Sequence, residues 1–121
     1  MMKGQVNAHH ALLDVVFRLP DQPDLQIECV IDTGFVGYIT LPLPAVLAMN
    51  LPFLRRMPIN LADNSTILVE VHVAKIVWNG EEREEEVLAT GKRPLIGTLL
   101  LDGHELNVQF IEGRPVIVNK L

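Results

Sequence analysis

From Ala11 to Leu19 the chain alternates, with Val15, Phe17 and Leu19 on one side and Asp14, Val16 and Arg18 on the other. That period of two is the pattern of a half-buried strand. Turn residues follow at Asp21-Gln22-Pro23-Asp24, and Leu25, Ile27, Cys29 and Ile31 then alternate with Gln26, Glu28 and Val30. The pair predicts a hairpin whose second arm ends on Asp32-Thr33-Gly34. Tyr38 to Leu41 predicts a short strand, and Pro44 to Met49 a short helix, with proline in its first turn, helix formers behind it and Asn50 as a stop. Extended segments from Met57 to Ala62 and from Thr66 to Trp78 flank Asp63-Asn64-Ser65, residues that accept the positive φ angles of a tight hairpin.

Asn79-Gly80 is the strongest turn signal in the chain and joins Trp78 to a strand over Glu82 to Ala89. Pro94-Leu95-Ile96-Gly97 reads as a short buried strand and Thr98 to Leu101 as a turn. Leu106 to Ile111 and Pro115 to Val118 read as a last hairpin around Glu112-Gly113. The sum is an all-β, or mainly β, chain of roughly seven to nine short strands with one or two short helices. No repeat or low-complexity tract interrupts it, so residues 1–121 are read as one domain.

Composition narrows the function classes. Hydrophobic residues at 49% and charged residues at 21% suit a folded globular chain. A formal charge of −5 argues against a surface that tracks phosphates, and Arg55-Arg56 and Lys92-Arg93 are too small to act as basic patches. No nucleic-acid partner is expected. The lone Cys29 cannot form an intrachain disulfide, the N-terminus lacks the apolar run of a signal peptide, and no apolar stretch reaches the ~20 residues of a membrane span. A reducing, cytoplasmic setting without membrane attachment is the expectation.

The residues most able to carry chemistry are Asp32-Thr33-Gly34. The apolar strand Cys29-Val30-Ile31 would hold the carboxylate rigidly, and glycine lets other backbone approach it. Taken alone, the tripeptide is more often a plain turn. An aspartic hydrolase needs two carboxylates that share one proton, one activating water and the other donating to the substrate carbonyl. No second Asp-Thr/Ser-Gly exists, so a second copy of the chain would have to supply the partner across a two-fold axis.

At these residues the sequence resembles the retropepsin-like aspartic proteases, in particular their small bacterial single-domain members. The likeness rests on Ile31-Asp32-Thr33-Gly34-Phe35, then Gly37-Tyr38-Ile39-Thr40-Leu41-Pro42, and downstream Leu95-Ile96-Gly97, and it runs from about Leu12 to Val118. It implies a closed or partly open β-barrel and a homodimeric endopeptidase that takes a peptide or protein substrate and needs no cofactor or metal. Asp32 would be the catalytic residue, with Thr33 bracing the dimer axis and Gly34 offering its N–H to the aspartate. Asp63-Asn64-Ser65 would be the tip of a flap, and Leu95, Ile96 and Gly97 would pack against the catalytic loop. Three departures stand out: Phe35 where relatives carry a small residue, a flap tip without glycine, and Thr98 after the apolar-apolar-glycine motif. They keep open a catalytically silent dimer that binds peptides or proteins. A monomeric ligand-binding β domain is a third reading.

Other features have plainer explanations. His9, His10, His72 and His104 show no metal-ligand spacing and are read as surface or hydrogen-bonded histidines, and Cys29 as a buried structural thiol. Glu81 to Glu86 is read as a solvated stretch that discourages edge pairing, and Leu99-Leu100-Leu101 as core. Val116-Ile117-Val118 is read as a strand of the dimer interface, with intrachain pairing as the alternative.

Overall fold

A computed structural model describes residues 1–121 and gives ten strands and one short helix. The strands are β1 (Met2–Asn7), β2 (His10–Arg18), β3 (Leu25–Ile31), β4 (Ile39–Leu41), β5 (Phe53–Asn60), β6 (Thr66–Trp78), β7 (Glu81–Ala89), β8 (Leu95–Ile96), β9 (His104–Val108) and β10 (Pro115–Lys120). Helix α1 (Leu43–Ala48) carries proline in its first turn, and Asn50, at φ 53°, leads the chain out. The protein is therefore mainly β, as the alternating segments predict.

All ten strands belong to one sheet, in the order β5-β6-β7-β4-β8-β3-β2-β1-β10-β9. An additional pairing of β6 with β2 joins β2, β3, β8, β4, β7 and β6 into a ring. Inside it lie the inward members of each alternation: Leu13, Val15 and Phe17 of β2, Ile76 and Trp78 of β6, and Ile96 of β8, none more than 2% exposed. Burying side chains of this size contributes roughly 1.5–3 kcal/mol each, which sets the register of every strand in the ring. Cys29 is fully buried as well, and burial, reinforced by the Asp14 and Glu28 carboxylates, pushes its thiol up to about 12. An inert structural thiol follows.

Besides β9, which runs His104–Val108 where Leu106 to Ile111 is expected, three elements differ from the sequence pattern. Strand β1 is unforeseen because its turn into β2 is Ala8-His9, two non-glycine residues at φ 50° and 68°, where no Asn-Gly pair advertises a hairpin. Strand β5 begins at Phe53 rather than Met57, since an irregularity between Phe53 and Arg55 breaks the alternation there. The third is a correction. Val116-Ile117-Val118 is not free to join a second chain edge to edge, because β10 pairs with β1 on one side and β9 on the other, and Val116 and Val118 are fully buried. The sheet's outer edges are β5 and β9 instead.

The acidic run falls where it was expected to act. Strand β7 pairs with β6 along its length but with β4 only over Val87–Ala89, so Glu81 to Glu86 line a stretch whose far edge is unpaired. Charge there discourages strand addition. Of the leucine triplet, Leu100 is core whereas Leu99 is 42% exposed.

Candidate active site

Asp32 stands one residue past the C-terminal end of β3, and the two-residue β8 decides its position. Strand β8 lies parallel to β3, with Ile31 beside Ile96, and antiparallel to β4, with Ile39 on the other side of the same Ile96. Both strands flanking the loop 32–38 are thus tied to one buried residue. Backbone bonds extend the clamp: Asp32 N–H donates to Ile96 O at 2.9 Å, Gly97 N–H to Tyr38 O at 3.0 Å, Thr98 N–H to Phe35 O at 2.9 Å, and Leu99 N–H to Gly37 O at 3.1 Å. The segment Leu95-Ile96-Gly97 and the Asp32 loop are therefore brought together.

Within the loop, Gly34 N–H donates to Asp32 Oδ1 at 2.9 Å and Phe35 N–H to Asp32 O at 3.2 Å. The first bond fixes the carboxylate's direction. Asp32 is half-buried, while Thr33, Gly34 and Val36 are exposed, so the loop presents its tip outward beside the carboxylate. Phe35 turns away from that surface. Its ring lies where a Cβ on Gly37 would come within 2.4 Å and one on Gly97 within 2.6 Å, so the two glycines are the space the ring occupies. The bulky residue after the motif is thus part of the loop's scaffold. Thr98 Oγ1 donates to Phe35 O at 3.4 Å, a long bond that adds to the backbone one.

The residues 63–65 do form a hairpin tip, between β5 and β6. Asn64 takes φ 66°, Leu61 N–H donates to Ser65 O at 2.8 Å, and Asp63 Oδ1 accepts from both the backbone N–H and the hydroxyl of Ser65. Side-chain bonding replaces glycine as the means of making the turn. The same bonds, chiefly the hydroxyl's, hold the Asp63 carboxyl below its ordinary value of 3.8. A group with a depressed folded value adds to tip stability above the unfolded value, and the contribution is lost as pH falls through the folded one. Carbon-detected titration of Asp63 should therefore give a midpoint below 3.8, and Ser65→Ala, which removes the hydroxyl but keeps the backbone N–H bond, should raise it part of the way; unchanged titration in that variant would show that the hydroxyl is not the main cause.

Hairpin and loop share a wall. A cavity of about 150 Å³ is lined by Val36, Gly37 and Tyr38 from the loop, Arg55 and Met57 from β5, Glu86 and Leu88 from β7, and Leu99. Arg55 donates through Nη2 to both Glu86 oxygens, one contact being 3.3 Å. Both partners are about half exposed, so the pair shapes the cavity wall more than it stabilises the fold. None of these residues stands out in the sequence, where Arg55 belongs to a basic pair too small to form a patch and Glu86 to the charge run from Glu81. Register is the signal that gathers them: Arg55 and Leu88 both face Val71, and Glu86 faces Val73 two residues on. A larger hollow of about 380 Å³, walled in part by Arg18, Lys75, Glu82 and Glu84, includes no residue of the loop.

The histidines divide as a structural reading expects. His104 Nε2 accepts from the Trp78 indole N–H at 3.1 Å while its Nδ1 meets Asp102 O at 2.8 Å. His72 is 4% exposed and bonded through both nitrogens. No known family model, curated protein or solved structure matches this chain. No helix is long and apolar enough to cross a membrane.

Proposed function

We propose that the chain is one half of a homodimeric aspartic endopeptidase of the retropepsin type, with Asp32 from each copy forming a two-carboxylate site. The observation that carries this reading is the clamp at β8. It holds a single Asp-Thr-Gly loop rigidly through Leu95-Ile96-Gly97, with the carboxylate oriented by Gly34 and the loop tip exposed to meet a second copy. Supporting it is the base of the β5–β6 hairpin, whose Arg55 and Met57 share a cavity with Val36, Gly37 and Tyr38 of that loop, although neither Asp32 nor the tip 63–65 lines it.

In the proposed reaction the two Asp32 carboxyls hold one proton between them. The ionised one takes a proton from water as the oxygen attacks the peptide carbonyl, and the protonated one gives its proton to the carbonyl oxygen. Collapse of the tetrahedral adduct breaks the C–N bond: the nitrogen leaves with the proton taken from water, and an adduct hydroxyl returns a proton to the other carboxylate, which restores the shared proton. Thr33 would brace the loops across the two-fold axis. The substrate would lie extended under the hairpins, its backbone adding to strand edges and one apolar side chain entering the cavity beside Leu88 and Leu99.

One observation favours a second reading, a silent dimer that binds without cutting. The glycine-free tip is fastened by Asp63, which suits a hairpin that stays in place. Incubating the purified protein with a diverse peptide library across pH separates the two. Cleavage with a bell-shaped pH dependence supports the enzyme, whereas retention of intact peptides supports the binding module.

A further inference from the structure

The sheet ends on β5 and β9, and β7 is open on its far side from Glu81 to Glu86. An open edge offers its N–H and C=O groups to any chain able to lie along it, and native chains block such edges with charge or proline. Glutamates block β7, since two copies set side by side there would bring carboxylate against carboxylate. On β5, Pro58 lacks a donor, and Arg55-Arg56 would meet their own charge in an antiparallel self-pairing. Strand β9, His104-Glu105-Leu106-Asn107-Val108, has no proline and a single carboxylate. It is the edge left unguarded.

Backbone bonding shows which groups of β9 are free. Leu121 N–H donates to Gly103 O at 3.0 Å, in line with the β9–β10 register, whereas His104 N–H points away from β10 to Leu101 O at 3.0 Å. Antiparallel bonding alternates along a strand, so Glu105 and Asn107 turn their N–H and C=O toward β10, and Leu106 and Val108 turn theirs outward. No strand lies on that side to receive them. Of the side chains, Leu106 and Val108 pack on the core, and Glu105 and Asn107 are exposed. Just past the strand, Phe110 and Ile111 are 68% and 61% exposed, an apolar pair that its own chain leaves bare.

We propose that β9 pairs antiparallel with β9 of a second copy across a two-fold axis, Leu106 of each chain beside Val108 of the other. In this register the outward N–H groups of each copy meet the outward C=O groups of its mate, and the apolar layer runs on from one chain into the next. Asn107 then faces Asn107, whose amides donate and accept in turn, and Glu105 faces Gln109, so no like charges meet. Setting Leu106 against Leu106 would call on His104 N–H, which is already given to Leu101. Setting Glu105 against Glu105 would oppose two carboxylates. Phe110 and Ile111 come alongside the partner's Gly103-His104 turn, which covers them. The identity of the partner rests on the homodimer reading above; the surface through which the copies meet does not follow from it.

The test is a charge swap at Asn107, whose exposed side chain leaves the fold of one chain untouched by substitution. Sedimentation equilibrium of the wild-type protein should give a dimer of the 13.5 kDa chain. Asn107→Glu and Asn107→Lys each set like charges face to face on the axis, and each alone should raise the dimer dissociation constant about tenfold or more. Mixed in equal amounts, the two variants place Glu against Lys and should associate at least as tightly as wild type. Amide exchange supplies a readout confined to this edge: the N–H groups of Leu106 and Val108 should be protected in the wild-type dimer and exchange freely in either variant alone. A wild-type chain that stays monomeric, or weakening by both variants with no recovery on mixing, would overturn the pairing. A dimer that survives both variants would overturn it too, yet leave the homodimeric protease reading standing. A β9-paired dimer that cuts no peptide would support the pairing and count against the protease alone.

Discussion

Replacing Asp32 by Asn is expected to lower kcat for peptide hydrolysis by about a thousandfold or more while leaving the fold intact. The asparagine carbonyl can still accept the Gly34 N–H that now meets Oδ1 at 2.9 Å, so the loop keeps its shape. What is lost is the proton exchange. An amide neither takes a proton from water nor shares one with the facing carboxyl, and no second Asp-Thr/Ser-Gly in the chain can substitute. Steady-state kinetics alongside a thermal melt would check both halves of the expectation. An unaltered kcat would place the chemistry elsewhere.

A large effect on stability is expected at Gly97. A Cβ there would lie 2.3 Å from Gly37 O and 2.7 Å from Phe35 O, both backbone atoms of the Asp32 loop, as well as 2.6 Å from the Phe35 ring. Those two carbonyls also accept the N–H groups of Leu99 and Thr98, so they cannot retreat without breaking the clamp. Gly97→Ala should cost about 3 kcal/mol, in the range for overpacking a tight interior. For a chain of this length that is a fall in Tm on the order of 10 °C. Calorimetry of the variant decides the point, and a Tm within a degree or two of wild type would mean that the loop is more yielding than its contacts imply.

Much of this arrangement is legible in the sequence. Alternation of apolar and polar residues places β2 and β3, the turns at Asp63-Asn64-Ser65 and Asn79-Gly80 place β6 and β7, and Asn79-Gly80 takes φ 51° and 78° as its turn chemistry requires. The juxtaposition of Leu95-Ile96-Gly97 with the Asp32 loop was carried by motif, since a two-residue strand has too little pattern to be read by periodicity. What escaped did so for definite reasons. Ala8-His9 turns the chain without the residues that usually signal it, and the irregularity after Phe53 hid the start of β5.

The cavity wall escaped for a deeper reason. Arg55 is 31 residues from Glu86 and is brought to it and to Leu88 by the shared neighbour strand β6, so only the pairing register reveals them. His72 likewise looks like any strand histidine until Leu51 and Glu70 are seen at its two nitrogens. The C-terminal strand taught the reverse lesson. Its apolar pattern asked for a partner, and β1, the strand that sequence inspection had missed, supplies it. Neither edge of β10 is therefore free to pair with a second copy.

Subunit mixing tests most directly the claim that each active site needs two copies of Asp32. Wild-type protein is equilibrated with Asp32→Asn protein and peptide hydrolysis is measured per wild-type chain. If mixed dimers are inactive, the rate per wild-type chain should fall to about one half at equal concentrations and to about one tenth with a ninefold excess of the variant, following the chance of drawing two wild-type copies. A rate per wild-type chain that stays constant at every ratio would contradict the account, because each chain would then carry a complete site of its own.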